Sequence, residues 1–147
     1  MLLSGQSGRV CCTFVSTCLA VLLIAGCARS SPEEKLRTTI AELQAAAEAR
    51  EPRAFVGYIS EDFIGTPGEL DREGLRNFVR GLLLSQQRVG VTLGPIDVKL
   101  YGEDRARVET TAFVTGSAGA LDSDALSIRS DWRLEEGNWR CIAASWE

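Results

Sequence analysis

The sequence predicts an α+β domain, with helices gathered in its first half and a mostly antiparallel sheet in its second. Three observations carry that prediction. Apolar residues recur at helical spacing in Leu36, Ile40, Leu43 and Ala47, and again in Leu75, Phe78, Val79, Leu82 and Leu83. From Arg88 onward the period changes to two. Ala125 to Trp146 then reads as two antiparallel strands around a turn at Glu135-Glu136-Gly137-Asn138, and that stretch holds all 3 Trp of the chain.

Composition narrows the class. The 147 residues, 45% of them hydrophobic, make one domain large enough for a real core. A formal charge of −4 and the lack of any basic run exclude a nucleic-acid partner. The count of His is 0, which removes the commonest general base and the commonest transition-metal ligand together. No metal set and no cofactor motif is expected.

Residues 1–26 read as a signal peptide. Arg9 is their single charge, Val10 through Ala25 is an apolar stretch, and small residues follow. The run falls short of the roughly 20 apolar residues that a spanning helix needs. Its end, Leu23-Ile24-Ala25-Gly26-Cys27, resembles a bacterial lipoprotein box, which implies cleavage before Cys27 and lipidation of its thiol. Of the 5 Cys, Cys11, Cys12 and Cys18 would leave with the signal and Cys27 would be acylated. That leaves Cys141 without an intrachain partner, reading as a small buried hydrophobe rather than a reactive thiol. Loss of Arg9 makes the mature chain one charge more negative.

Residues 27–32 are then a short lipidated tether and 33–147 the folded domain. A capping box opens the first helix: Ser31 as cap, Pro32 at the first position, Glu34 three residues on. That helix is expected to stop near Arg50, before Pro52. A second runs Pro52 to Ile59 with Phe55 and Ile59 on one face. Glu61 to Gly65 starts a brief strand that dissolves at Thr66-Pro67-Gly68, and Asp71 caps the third helix. Val89, Val91 and Leu93 alternate, Gly94-Pro95 shifts the phase, and Ile96, Val98 and Leu100 resume on the new face, as a bulge or sharp bend would have it. After a turn at 101–104, Ala106, Val108, Thr110, Ala112 and Val114 line one side of a strand. Gly116 to Asp124 is a loop of small residues.

In the closing hairpin Leu126, Ile128, Ser130, Trp132 and Leu134 share a face, against Ser127, Arg129, Asp131 and Arg133. In its second strand Trp139, Cys141, Ala143 and Ser145 are expected on one side, and Arg140, Ile142, Ala144 and Trp146 on the other. Gly137 supplies the positive φ of a short loop with a bulge.

The order of elements resembles the nuclear transport factor 2-like superfamily, with its ketosteroid isomerase-like and polyketide cyclase-like branches. The resemblance rests on Ile59-Ser60-Glu61-Asp62-Phe63, on Gly68 and the helix from Asp71 to Leu83, and on Trp132-Arg133-Leu134 with Gly137-Asn138-Trp139-Arg140. It covers residues 33–146. It implies a cystatin-like cone, in which helices pack in the concave face of a strongly curved sheet and a pocket opens at the wide end. It also implies pairing of two copies through the sheet. The lining is then Phe55, Ile59, Phe63 and Phe78 from the first half, with Ile96, Val98, Leu100, Val108, Thr110, Ala112, Ile128, Ser130 and Trp132 from the strands. None of these is ionisable.

The chain departs from the family's enzymes where it matters. The isomerases carry a carboxylate base just after the first strand, and Phe63-Ile64-Gly65-Thr66-Pro67 offers only Thr66. The His of related dehydratases is absent. Asp62 and Tyr58 are the remaining catalytic candidates, and a carboxylate placed like Asp62 more often caps backbone N–H groups and stays ionised. On the outward face, Asp97, Lys99, Arg105, Arg107, Glu109, Arg129, Asp131 and Arg133 read as solvated cross-strand pairs, or as a partner surface. Two functional expectations follow. The first is a lipoprotein of the bacterial cell envelope, facing the periplasm or the exterior, whose cone is a non-catalytic module for a small apolar ligand or an envelope protein. The alternative is an isomerase- or cyclase-type enzyme using Asp62 and Tyr58. Missing His and an apolar lining favour the first.

Overall fold

Ser31 opens the first helix as a capping box requires. In the computed structural model its Oγ accepts from the Glu34 backbone N at 3.1 Å, with Pro32 at the first helical position. The structure describes residues 30–66, 70–85, 89–116 and 124–147; Cys27, the signal segment and Pro67-Gly68 lie outside the described residues. Helix α1 (Pro32–Glu48) buries Leu36, Ile40 and Ala47, with Leu43 packed beside them. It ends where Arg50 takes a φ of 59, a left-handed value uncommon for a residue with a Cβ. The Arg50 guanidinium holds that turn, donating to the backbone oxygen of Leu83 at 2.8 Å.

Helix α2 (Pro52–Gly57) is shorter than the sequence suggests, because Ile59 begins strand β1 (Ile59–Thr66) instead of closing the helix. The Tyr58 carbonyl accepts from Cys141 N at 2.9 Å, which commits the chain to the sheet at that point. After β2 (Leu70–Asp71), the Asp71 carboxylate accepts from Gly74 N at 2.7 Å and caps helix α3 (Arg72–Ser85). Leu75, Val79 and Leu83 are the buried stripe of α3. Phe78 is a correction to the expected lining: it stands 56% exposed, since one stripe of a single-layer helix has room for about one residue per turn.

The remaining strands are β3 (Val89–Leu93), β4 (Asp97–Tyr101), β5 (Arg105–Gly116), β6 (Asp124–Glu135) and β7 (Asn138–Trp146). β3 and β4 pair with successive lengths of β5, Leu93 opposite Ala112 and Asp97 opposite Glu109. Gly94, Pro95 and Ile96 face only two residues of β5 between those points, and that extra residue is the phase shift legible in the sequence. The sheet runs β2-β1-β7-β6-β5-β3, with β4 beside β5; it is mixed, curved and unclosed, since β1 is parallel to β7 while the other pairs are antiparallel.

The β6–β7 turn differs from the expected bulged loop. Glu135 pairs with Asn138 directly, and Glu136 and Gly137 both have positive φ (50 and 82), the two-residue turn whose twist suits a hairpin. A bulge lies instead further along, where Trp132 faces Cys141 but Asp131 faces Ala143, leaving Ile142 as the extra residue. It reverses the expected sides of the last residues. Ala144 lies opposite Ser130 and Trp146 opposite Ile128, so these two join the concave face, and Ala143 and Ser145 turn outward. Among the described residues no helix is long and apolar enough to cross a membrane.

Candidate functional site

The concave face is the first place to look for chemistry. Ile59, Phe63, Val108 and Trp132 are members of the buried core cluster, packed with Leu36, Ile40, Leu75, Val79 and Leu83 from the helices. Phe55, Ile96, Val98 and Leu100 are half-buried against it, and Ala112 is buried. Thr110 and Ile128 are half-buried, Thr110 Oγ1 donating to the Gly94 carbonyl at 3.4 Å. Ser130 is buried and accepts from the Trp132 indole Nε1 at 2.9 Å, so its hydroxyl satisfies the one polar atom of a core aromatic. Among the described residues the buried polar side chains are Ser60 and Ser130 alone. The buried thiol of Cys141 is pushed up to about 12 by burial, far from the thiolate that a nucleophile needs.

The candidate acid lies elsewhere. Asp62 is exposed, on the outward side of β1, and its carboxylate is engaged by two side chains. Ser60 Oγ donates to Oδ1 at 2.7 Å, and Arg133 Nη2 reaches Oδ1 at 2.9 Å and Oδ2 at 3.1 Å. The same Arg133 donates through Nε to Glu135 Oε1 at 2.8 Å, and its Nη2 also meets that oxygen. Ser60 Oγ lies 2.8 Å from Glu135 Oε1. A hydroxyl carries one proton, so Ser60 serves one carboxylate at a time while Arg133 bridges both. The Ser60 hydroxyl, and then Arg133, hold both carboxyls below the usual carboxylate range. Asp62 is therefore held toward its ionised form, as its placement suggests, but chiefly through side chains, with its own backbone N–H the smallest contributor.

Tyr58 is half-buried where α2 meets β1. Burial pushes its hydroxyl upward, and the neighbouring Glu42 carboxylate adds to that. No interaction joins Tyr58 to Asp62 among the described hydrogen bonds. Thr66, at the position where the isomerases carry a base, is exposed beside Ser145.

Two other charged regions were absent from the expected site. A shallow open depression of about 300 Å³ is lined by Glu61, Asp71, Arg72, Glu73 and Arg76. Its charges are already committed: Arg72 to Glu61 at 3.1 Å, Arg76 to Glu73 at 3.0 Å, Asp71 to the α3 cap. On the outward face of the sheet Arg107 forks onto Asp131 (2.8 and 3.2 Å) and Arg129 meets Glu109 at 2.8 Å, each pair directly opposite in register. Among the described residues no three His, Cys, Asp or Glu side chains converge as a metal site.

No family model and no curated protein matches the chain. Solved structures do match it. A protein of unknown function with a cystatin-like fold from Nostoc punctiforme superposes with a TM-score of 0.64 at 15% identity, over 77% of this chain and 87% of that one. A protein of the NTF2-like family from Streptomyces avermitilis, provisionally described as a dehydratase, gives 0.67 at 13% identity, over 77% and 92%. An NTF2-like protein from Cytophaga hutchinsonii gives 0.65 at 15%, over 76% and 93%. The fold is the cystatin-like cone that these structures share. At such identities the likeness is one of fold, and the chemistry of this cone has to be read from its own side chains. Those side chains make an apolar interior and place every described carboxylate outside it.

Proposed function

We propose that the chain is a lipoprotein of the bacterial envelope, anchored through Cys27, whose NTF2-like cone is a non-catalytic binding or interaction module. The observation that carries the non-catalytic half is the interior itself: among the described residues no carboxylate, amine or guanidinium is buried. Acid–base work needs a titratable group within hydrogen-bond reach of the substrate, tuned near neutrality. Asp62 faces solvent and is held ionised by Ser60 and Arg133, the opposite tuning. The residues expected to line a ligand pocket are largely the packed core, which supports an interaction through the outer surface over a ligand deep inside.

A deletion strain complemented with wild-type or Asp62→Asn protein at matched abundance tests this reading. The Asn variant is expected to complement nearly as well as wild type, with a modest loss of stability. An Asn variant that stays folded and membrane-bound yet behaves like the deletion would put the isomerase- or cyclase-type alternative ahead.

A further inference from the structure

We propose that the mature protein faces the bilayer with one end of its sheet, the end that carries Pro32 and the turns 102–104 and 136–137. This orientation rests on the lipoprotein reading above and deepens it, naming the surface that lies against lipid.

Three contacts bring the chain's entry point to that end. The Trp139 indole Nε1 donates to the Pro32 carbonyl at 3.1 Å, which fastens the start of α1 beside the β6–β7 turn. Trp139 is buried and lies opposite Leu134, so this anchor belongs to the core and not to a loose side chain. Leu134 N in turn donates to the Asp104 carbonyl at 2.8 Å, which adds the β4–β5 turn to the same end.

Chain length then decides the orientation. Cys27 precedes the capping residue Ser31 by four residues, a reach of at most about 14 Å when fully extended. From Glu135 to Asp124, β6 extends about 35 Å at the ordinary rise per residue. The tether is less than half that length. It keeps the Pro32 end near the lipid and rules out the inverted, end-on arrangement in which only the opposite end, where Val114 faces Asp124, would lie against the lipid.

The chemistry of the Pro32 end suits proximity without adhesion. Glu34, Glu103, Asp104 and Glu136 are exposed there, against Lys35 and Arg105. An acid excess is repelled by the negative surface potential of anionic lipids, so the acyl chains alone hold the domain. Raising the salt concentration should release none of it.

Cys141 makes a clean experiment available, since its thiol is buried and stays protonated at labelling pH. Lys35→Cys, Glu103→Cys and Ala125→Cys proteins, purified from membranes and labelled with a thiol-reactive donor, would be reconstituted into vesicles bearing a head-group acceptor. Ala125 is exposed and lies opposite Phe113, toward the far end of β6. Energy transfer from positions 35 and 103 is expected to exceed that from 125 several-fold. Equal or reversed transfer from vesicle-bound protein would overturn the orientation and leave the lipid anchor standing. If wild-type protein does not float with vesicles, or Cys27→Ala protein floats as well as it does, the anchor falls and the orientation with it.

Discussion

Trp132 and Arg133 are neighbours in β6 with opposite duties. Trp132 is 3% exposed, and its replacement would open a cavity and strand the Ser130 hydroxyl inside it. Trp132→Ala should cost about 3–5 kcal/mol. A denaturant melt reads this, and a loss under about 1 kcal/mol would mean the core does not depend on the ring. Arg133 serves the outer surface, where it lowers the titration of Asp62 and Glu135 together with Ser60. The folded state then binds fewer protons than the unfolded chain in mild acid. Their contribution is complete above the ordinary carboxylate pKa of about 4 and is lost as pH falls through the lower folded values. Arg133→Gln should flatten the acid limb of a stability-versus-pH curve, and an unchanged limb would assign the shift to Ser60 alone. Asp62 and its ionised state were legible in the sequence. Ser60 and Glu135 were not, because they meet across 75 positions of chain, and no local pattern marks such a pair.

At the level of elements, what could be read depended on whether the signal was local. The α1 capping box and the Asp71 cap each rest on residues three apart, and both stand as expected. So does the bend after Leu93, because Gly94-Pro95 interrupts a visible alternation. The β7 bulge was hidden, since Ala143, Ala144 and Ser145 are small enough for either side of a sheet and give alternation no phase to lose. The true phase brings Trp146 inward beside Gly65. A Cβ at Gly65 would sit 3.1 Å from both Phe63 Cε1 and Trp146 Cη2. Replacing a strand glycine usually helps, but Gly65→Ala should cost about 1–3 kcal/mol through overpacking of two rings. A thermal melt of the variant at or above wild type would show that those rings can yield. Phe78 fails for a related reason: a five-member apolar stripe is wider than the contact α3 makes.

For the whole molecule, the fold was legible because the order of helices and strands and the changes of period are properties of long stretches. The proposed anchor rests on a short motif at Cys27. Acyl chains contribute about 0.8 kcal/mol per buried CH₂, and more than one is needed for stable anchoring. Cys27→Ala protein should therefore appear in the soluble fraction, and its persistence in alkaline-washed membranes would sink the lipoprotein reading. The place of β7 between β1 and β6 has a bearing on how such a chain is made. Synthesis proceeds from the amino end, so β1 emerges with only β2 to pair with, while β5 and β6 can already zip as a hairpin. Those two parts have no shared edge until the final strand slides in and pairs with both, Ile64 with Ala143 on one side and Asp131 with Ala143 on the other. The parallel pairing closes the longest loop of any strand pairing among the described residues and belongs among the slowest steps of folding. A ribosome that stalls before Asn138, or a protease that cuts at the 136–137 turn, leaves two open edges and an exposed apolar face, which is the form that chaperones and degradative enzymes capture.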